Sequence, residues 1–240
     1  MKLTFIGTSH GVPEADRRCS CTMIQVGENV YFVDMGTQAI EDLRRMDIAP
    51  ERVKGVFITH MHGDHVNGLL SFVDICNWFF TSASPEIFLP TREGAAAVKN
   101  WILALDKRDV CRIEPRVTEE GVVFDDGTLK VTAVRTQHTR RSFAYFIRAE
   151  GKTLLFTSDL KGAEVDFPAV PEGTTLDAVI CESAHVPPMD YVPVFKKLAI
   201  KRAFITHIQP RKAEQARELK SALEGKIPVS IPRDGDEYEL

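Results

Sequence analysis

Four segments of this chain share one design. Val56-Phe-Ile-Thr-His60, Val134-Arg-Thr-Gln-His138, Leu155-Phe-Thr-Ser-Asp159 and Ala203-Phe-Ile-Thr-His207 each read as an apolar strand that passes through a threonine and stops at a histidine or aspartate. In layered α/β folds, functional groups collect outside the carboxyl ends of strands, where rigid elements hold loop residues in place. Strands that end this way would bring their polar side chains to one rim of a sheet. The rest of the chain agrees. Short apolar runs at Leu3–Ile6, Thr22–Val26, Val30–Val33, Val53–Ile58, Glu86–Leu89, Leu129–Val134, Phe143–Ile147, Thr153–Phe156, Asp177–Ile180, Arg202–Ile205 and Pro228–Ile231 read as strands. Helical spacing is present in Thr37–Met46, Val66–Phe80, Arg92–Leu103, Val192–Leu198 and Ala213–Leu223. Each half of the chain runs from strands into helices, with no linker or low-complexity tract between them, so residues 1–240 are expected to form one α/β layered domain. A length of 240 residues with 44% apolar content suffices for one sizeable core.

The first of the four strand ends carries the chemistry furthest. Residues 59–65 read Thr-His-Met-His-Gly-Asp-His, so His60, His62, Asp64 and His65 place three imidazoles and a carboxylate in one short run. Imidazole and carboxylate suit zinc and its borderline neighbours. Four such groups cannot all face one small ion from a regular helix or strand. A loop leaving a strand could split them, with His60 and His62 toward one ion and Asp64 and His65 toward another. A lone histidine at a strand end is more often a surface or hydrogen-bonded residue than a ligand. Beside this run that reading gives way for His138, Asp159 and His207, because a dinuclear site needs about three more ligands. Asp159 is the natural bridge, since a carboxylate can give one oxygen to two ions. Tyr31-Phe-Val-Asp34-Met-Gly36 ends a further apolar strand at a carboxylate. Asp34 is either a plain turn residue or the acceptor that fixes the tautomer of a ligand histidine.

Other function classes recede. A net charge of −4 offers no general attraction to nucleic acid, although Arg140-Arg141 and Arg211-Lys212 could form a local anion site. The longest apolar stretch, Leu69 to Phe80, is interrupted by Asp74 and Asn77, so no membrane span is expected. Nothing near the N-terminus resembles a signal peptide, and the 5 cysteines lack the rhythm of a disulfide scaffold, which points to a reducing cytoplasm. Only Cys19-Ser-Cys21 is close enough to suggest shared metal chemistry.

The run His60-x-His62-x-Asp64-His65, followed by His138, Asp159 and His207, resembles the metallo-β-lactamase superfamily of metallohydrolases. The resemblance implies a four-layer αββα sandwich. It also implies two divalent metal ions, zinc in first place with manganese or iron as alternatives. By position, His60, His62 and His138 would hold one ion, Asp64, His65 and His207 the other, and Asp159 would bridge. Phe5-Ile-Gly7-Thr8-Ser-His-Gly11-Val-Pro13 looks like the glycine-rich opening of ribonuclease Z and the cyclic phosphodiesterases. Thr206-His207-Ile-Gln-Pro-Arg211 looks like the last metal motif of ribonuclease Z.

Departures from these relatives narrow the branch. True β-lactamases usually carry cysteine where this chain has Asp159, which turns attention from antibiotics. A flavodiiron-type redox role would want an acidic group where His62 stands. Ribonuclease Z carries a long tRNA-gripping arm between its third histidine and bridging aspartate. Here one strand pair joined at Glu150-Gly151 fills that interval, so tRNA 3′ processing is disfavoured. The phosphoribosyl cyclic phosphodiesterase branch lacks the arm and has a Cys-x-Cys, but its structural zinc also uses a histidine where this chain has Pro210-Arg211-Lys212.

These features together lead to a dinuclear hydrolase, with a small or cyclic nucleotide-like phosphodiester as the expected substrate. Two cations about 3.5–4 Å apart can share a hydroxide and bring the pKa of its parent water near 7. The candidate catalytic groups are Asp64, His185 and Glu182: in Val179-Ile-Cys-Glu182-Ser-Ala-His185, the histidine would be the general acid and the glutamate its orienter. A lactonase or thioesterase uses the same ligand set, and a catalytically silent binding module is a further alternative. The expected partner is a small-molecule ester, with no membrane and no long nucleic acid; a homodimer stays open.

Overall fold

The computed structural model describes residues 1–105 and 110–240. Most of its strands are apolar on both sides, because each sheet is buried between helices on one face and the other sheet on the opposite face. The first sheet runs in the order β16 (Glu237–Glu239), β1 (Lys2–Gly7), β2 (Cys21–Val26), β3 (Asn29–Val33), β4 (Val53–Phe57), β5 (Glu86–Leu89) and β6 (Arg116–Val117). The second runs β15 (Val229–Ser230), β14 (Ala203–Ile208), β12 (Ala178–Ser183), β10 (Lys152–Phe156), β9 (Ser142–Ala149), β8 (Lys130–Thr136) and β7 (Gly121–Asp125). A small pair, β11 (Thr175–Leu176) and β13 (Ala199–Ile200), stands apart.

Strand alternation sets the layers. Along β4 and the residue after it, Val56 and Ile58 pack toward α1 (Ile40–Arg45), α2 (Gly63–Trp78) and α3 (Arg92–Ala104), beside Leu43, Leu69, Phe72 and Ile102. Phe57 faces the other way, into the space between the sheets. There it stacks on Phe88 at 5.3 Å and meets Phe124 edge-on at 5.4 Å, while Phe5 and Phe204 join the two sheets at 5.3 Å. On the far side, Leu155 and Ile205 pack outward with Tyr191, Phe195 and Leu219, which lie on α5 (Tyr191–Phe195) and α6 (Ala213–Ala222); α4 (Ala163–Asp166) adds Ala163. The result is the expected αββα sandwich. Among the described residues no helix is long and apolar enough to cross a membrane.

The differences from the sequence reading lie at element ends and in a few short or mostly exposed strands. Helix α2 begins at Gly63 rather than Val66, because its first turn is spent on polar residues that carry no apolar periodicity. Asp64 is well placed there, since a carboxylate is favoured at a helix N-terminus. Strand β14 continues through His207 to Ile208 instead of stopping at the histidine. Strands β6, β11, β13 and β16 are too short to show a period, and β7 buries only Phe124, so none of these was legible as a strand.

Candidate metal centre

The topology brings the predicted strand ends together. Strand β8 is antiparallel to β9 and β9 to β10, which restores the direction, and β10, β12 and β14 are mutually parallel. Their carboxyl ends therefore open on one rim, where His138, Asp159, Glu182 and His207 collect. Across the sandwich, β4 leads to His60 and His62, and the first turn of α2 supplies Asp64 and His65. The bend after β3 fits against that turn because residue 36 is glycine: a Cβ there would stand 1.7 Å from the Asp64 carbonyl oxygen. Three non-glycine residues on this rim sit in the left-handed region, Asp34 (φ 57°), Ser158 (φ 60°) and His207 (φ 51°). Each costs about 1–3 kcal/mol, so the surrounding hydrogen bonds must hold them.

Two donor sets result. In the first, His60 Nε2 lies 3.0 Å from His62 Nδ1, and His62 Nδ1 lies 3.2 Å from His138 Nε2. Asp159 Oδ2 completes it, at 3.7 Å from His60 Nε2 and 3.6 Å from His138 Nε2. In the second, Asp64 Oδ2 is 3.4 Å from His65 Nε2 and 3.5 Å from His207 Nε2. Here the other oxygen of Asp159, Oδ1, lies 3.6 Å from both His65 Nε2 and His207 Nε2. One carboxylate thus turns one oxygen to each set.

The outer ring nitrogens are held from behind. His65 Nδ1 is 2.7 Å from Asp34 Oδ2, and the other Asp34 oxygen accepts from the Thr59 backbone N–H at 2.8 Å and its hydroxyl at 2.9 Å. His207 Nδ1 is 2.7 Å from the Ser9 carbonyl oxygen, and His60 Nδ1 is 3.1 Å from Thr59 Oγ1. The carboxylate and carbonyl acceptors behind them take the Nδ1–H of His65 and His207, which leaves Nε2 as the atom each ring turns inward. The threonine that precedes each strand end was visible in the sequence; only the fold reveals that Thr59 ties Asp34 to His60. Ser9 has no sequence signal, because its contribution is a backbone oxygen.

Electrostatics separates the groups. Burial, reinforced by the charge on His65, drives the His60 imidazole down to about 2, and burial also lowers His138. Burial opposes a charge on His65 as well, but Asp34 and Asp159 outweigh it and raise that imidazole well above its ordinary value. Asp159 is buried too, yet His207 and His65 hold its carboxyl well below the usual carboxylate range; burial likewise opposes the charge on Asp64, and His65 holds it low.

Divalent ions fit these donors. His65 Nε2 and Asp159 Oδ1 are buried polar atoms without a hydrogen-bond partner, a costly condition that a cation between them would relieve. Donor pairs around a tetrahedral zinc with bonds of about 2.0–2.1 Å stand about 3.3 Å apart. The spacings of the first set straddle that value, and those of the second lie just above it. The groups His60, His62, His138 and Asp159, and Asp64, His65 and His207, each offer ligand atoms within 4.8 Å of one another.

Asp159, Glu182 and His185 form a third grouping, which shares its aspartate with the first. Glu182 is already occupied: its carboxylate accepts from the backbone N–H of His185 at 2.7 Å, of Val186 at 3.1 Å and of Leu160 at 3.3 Å. It shapes the loop, and its oxygen stands 3.6 Å from His185 Nδ1, while Asp159 Oδ2 is closer at 3.3 Å. Glu182 first, and then Asp159, raise the His185 imidazole above its ordinary value against the effect of burial. The sequence offered Lys212 only as part of a local anion site; its ammonium donates to the carbonyls of Ala184 and His185 at 2.8 Å each. Cys19 and Cys21 join no metal-type cluster among the described residues; Cys21 is buried on the helix side of the first sheet and Cys19 is half-buried.

Above the donors an open cleft of about 300 Å³ is walled by His10, Gly11, Ala184, His185 and Gln209. Fold and donor set together define a protein of the metallo-β-lactamase fold with a candidate metal centre. The solved structures agree on the fold: YhfI from Bacillus subtilis superposes with a TM-score of 0.80 at 18% identity, covering 100% of this chain and 99% of that one. Human tRNase Z, short form, gives 0.74 at 19% identity (100% and 99% covered), and a diphosphatase from the PhnP family gives 0.68 at 18% (100% and 97%). In sequence, ribonuclease Z of Gloeothece citriformis is 29% identical over 159 residues, 64% of this chain and 48% of the relative. Ribonuclease Z of a Prochlorococcus marinus strain is 27% identical over 190 residues, 74% of this chain and 59% of the relative. The chain therefore spans only about half the length of the curated relatives it matches. Within this ribonuclease Z-like branch, the family model described as "Anti-Pycsar protein Apyc1" matches residues 1–178, and the chain belongs to that family. The match ends before Glu182, His185 and His207.

Proposed function

We propose that the chain is a metal-dependent phosphodiesterase that hydrolyses a small or cyclic nucleotide-like phosphodiester in the cytoplasm. His60, His62 and His138 would hold one divalent ion and Asp64, His65 and His207 the other, zinc in both, with Asp159 shared. Bound there, the ions would supply positive charge for a developing oxyanion and bring a water molecule's pKa toward neutrality. The chain's own residues do the rest. Asp34, Thr59 and the Ser9 carbonyl keep ring nitrogens aimed at the donor sets. His185 would give a proton to the leaving oxygen, and Glu182 and Lys212 hold its loop in place through backbone contacts.

The observation that carries the reading is His185 itself. It is a titratable side chain on the cleft wall, next to the shared carboxylate, on a loop tied down at both ends. A phosphodiester with a poor leaving group needs such a donor. The cleft volume lies at the low end of small-molecule sites, which favours a compact ester. Strands β9 and β10 are joined directly at Glu150 and Gly151, both with positive φ as in a tight hairpin, which favours a small substrate over a long nucleic acid. Several relatives bear names of phosphorus-ester chemistry, a ribonuclease and a diphosphatase among them.

The test is a panel with metal analysis: bis-nitrophenyl phosphate, 2′,3′- and 3′,5′-cyclic nucleotides, a homoserine lactone and a glutathione thioester. Turnover of the phosphodiesters alone, abolished by chelation, is the expected result. Activity confined to the lactone or the thioester would overturn the phosphodiesterase reading.

A further inference from the structure

We propose that Asp234, close to the end of the chain, is a positioning residue for His207. The proposal rests on the dinuclear reading above. Asp234 is largely buried, and its carboxylate gathers four donors: the Thr8 backbone N–H at 2.9 Å, the Thr8 hydroxyl at 2.7 Å, the Arg18 backbone N–H at 2.6 Å and Arg18 Nε at 3.4 Å. The guanidinium of Arg18 continues outward and donates twice to Asp42 on α1, at 2.6 and 3.2 Å. Asp234 thereby ties residues 8 and 18 to each other and, through Arg18, to α1.

That clamp bears directly on His207. The Thr8 carbonyl accepts the His207 backbone N–H at 3.1 Å, and the neighbouring Ser9 carbonyl faces its Nδ1 at 2.7 Å. Ser9 is itself held by a hydrogen bond from its N–H to the Arg18 carbonyl at 2.8 Å. The segments are pressed together so closely that a Cβ on Gly7 would lie 1.8 Å from the Cys19 carbonyl oxygen. His207 needs this support, because its left-handed backbone (φ 51°) is unfavourable for a non-glycine residue and would relax if the clamp loosened. Thr8 and Ser9 thus fix both the backbone and the ring of His207, and Asp234 fixes Thr8. Among the described residues His65, by contrast, takes its support from Asp34, and no hydrogen bond joins His60, His62 or His138 to this clamp.

The experiment is a calorimetric titration of metal-free protein with Zn²⁺, comparing the native chain with Asp234→Asn. The asparagine keeps size and one acceptor but cannot accept from Arg18 with its amide nitrogen. One ion should bind about ten- to a hundredfold more weakly, as for partners that support a ligand histidine, while the other changes by less than about twofold. Thr8→Val provides a milder arm that keeps the fold if Asp234→Asn does not; loss of one hydrogen bond predicts about threefold weaker binding of the same ion. Tyr31→Phe removes the Tyr31–Asp126 hydrogen bond (2.6 Å), remote from the donors, and should lower the melting temperature without altering either affinity. Two ions in the native chain with both affinities unchanged in Asp234→Asn and Thr8→Val would overturn the role of Asp234 alone. Equal weakening of both ions would also overturn it, since that is the mark of a general staple. Fewer than two ions in the native chain would sink the dinuclear reading and this role with it.

Discussion

The two donor sets are built from similar atoms but held differently. In the second set His65 and His207 are buried, and each has a short contact of 2.7 Å behind its ring. In the first, His60 is buried against Thr59, whereas His62 is exposed and His138 only partly covered. Among the described residues the outer nitrogens of His62 and His138 have no hydrogen-bond partner. One half of the centre is therefore set by packing from distant segments, and the other half is set at its mouth. The lesson is that similar ligand chemistry can carry different sensitivity to its surroundings, and perturbations at each half should separate.

The largest effect should come where the halves meet. Asp159→Ala removes the carboxylate that both sets share, and hydrolysis of bis-nitrophenyl phosphate should fall by about a thousandfold or more, with metal content dropping below two ions per chain. Retention of two ions and of most activity would break the shared-carboxylate picture.

His185→Ala comes next. It should cost about a hundredfold on substrates with poor leaving groups and far less on nitrophenyl esters, with metal content unchanged. Equal losses on both kinds of substrate would remove the proton-donor role.

Asp34→Ala tests the asymmetry of support. It should weaken the ion next to His65 by about ten- to a hundredfold in a Zn²⁺ titration and the other, which Asp34 reaches only through Thr59, by a smaller factor. Thr59→Val, which keeps the backbone N–H, should have a smaller effect, seen at the His60 side.

The smallest effect is one of pH. In the metal-free protein His65 is raised above its ordinary value, so it still holds its extra proton near neutrality, and an ion must displace that proton. His60, lowered to about 2, is already neutral and gives up none. Affinity of the second set should therefore fall by about tenfold for each unit of pH decrease below the His65 pKa, and the first set should respond less. Titrations in buffers of different ionisation enthalpy will read the proton count for each event; equal release from both would contradict the contrast.

Much of this was legible in the chain because the relevant signals are local. The runs ending at His60, His138, Asp159 and His207 announced strand ends, and the tight spacing of His60, His62, Asp64 and His65 announced a split between two sites. The less visible parts are non-local. The start of α2 at Gly63 was hidden because its first turn has no apolar period. The strands β6, β11 and β13 are two residues long and leave no pattern. Lys212 reads as a surface cation until its ammonium is seen between two carbonyls of the His185 loop.

The sequence by itself determined the residue types, their order, and the apolar periods that make strands and helices, and these suffice for the class of fold and the set of donor groups. Tertiary structure alone decided which oxygen of Asp159 faces which set, that Glu182 serves backbone N–H groups, and that Ser9, Thr8 and Asp234 stand behind His207. The physical reason is that ligand identity is a property of side chains, which a sequence lists. Ligand orientation depends on hydrogen bonds between segments up to 226 residues apart, many of them to backbone atoms that every residue carries.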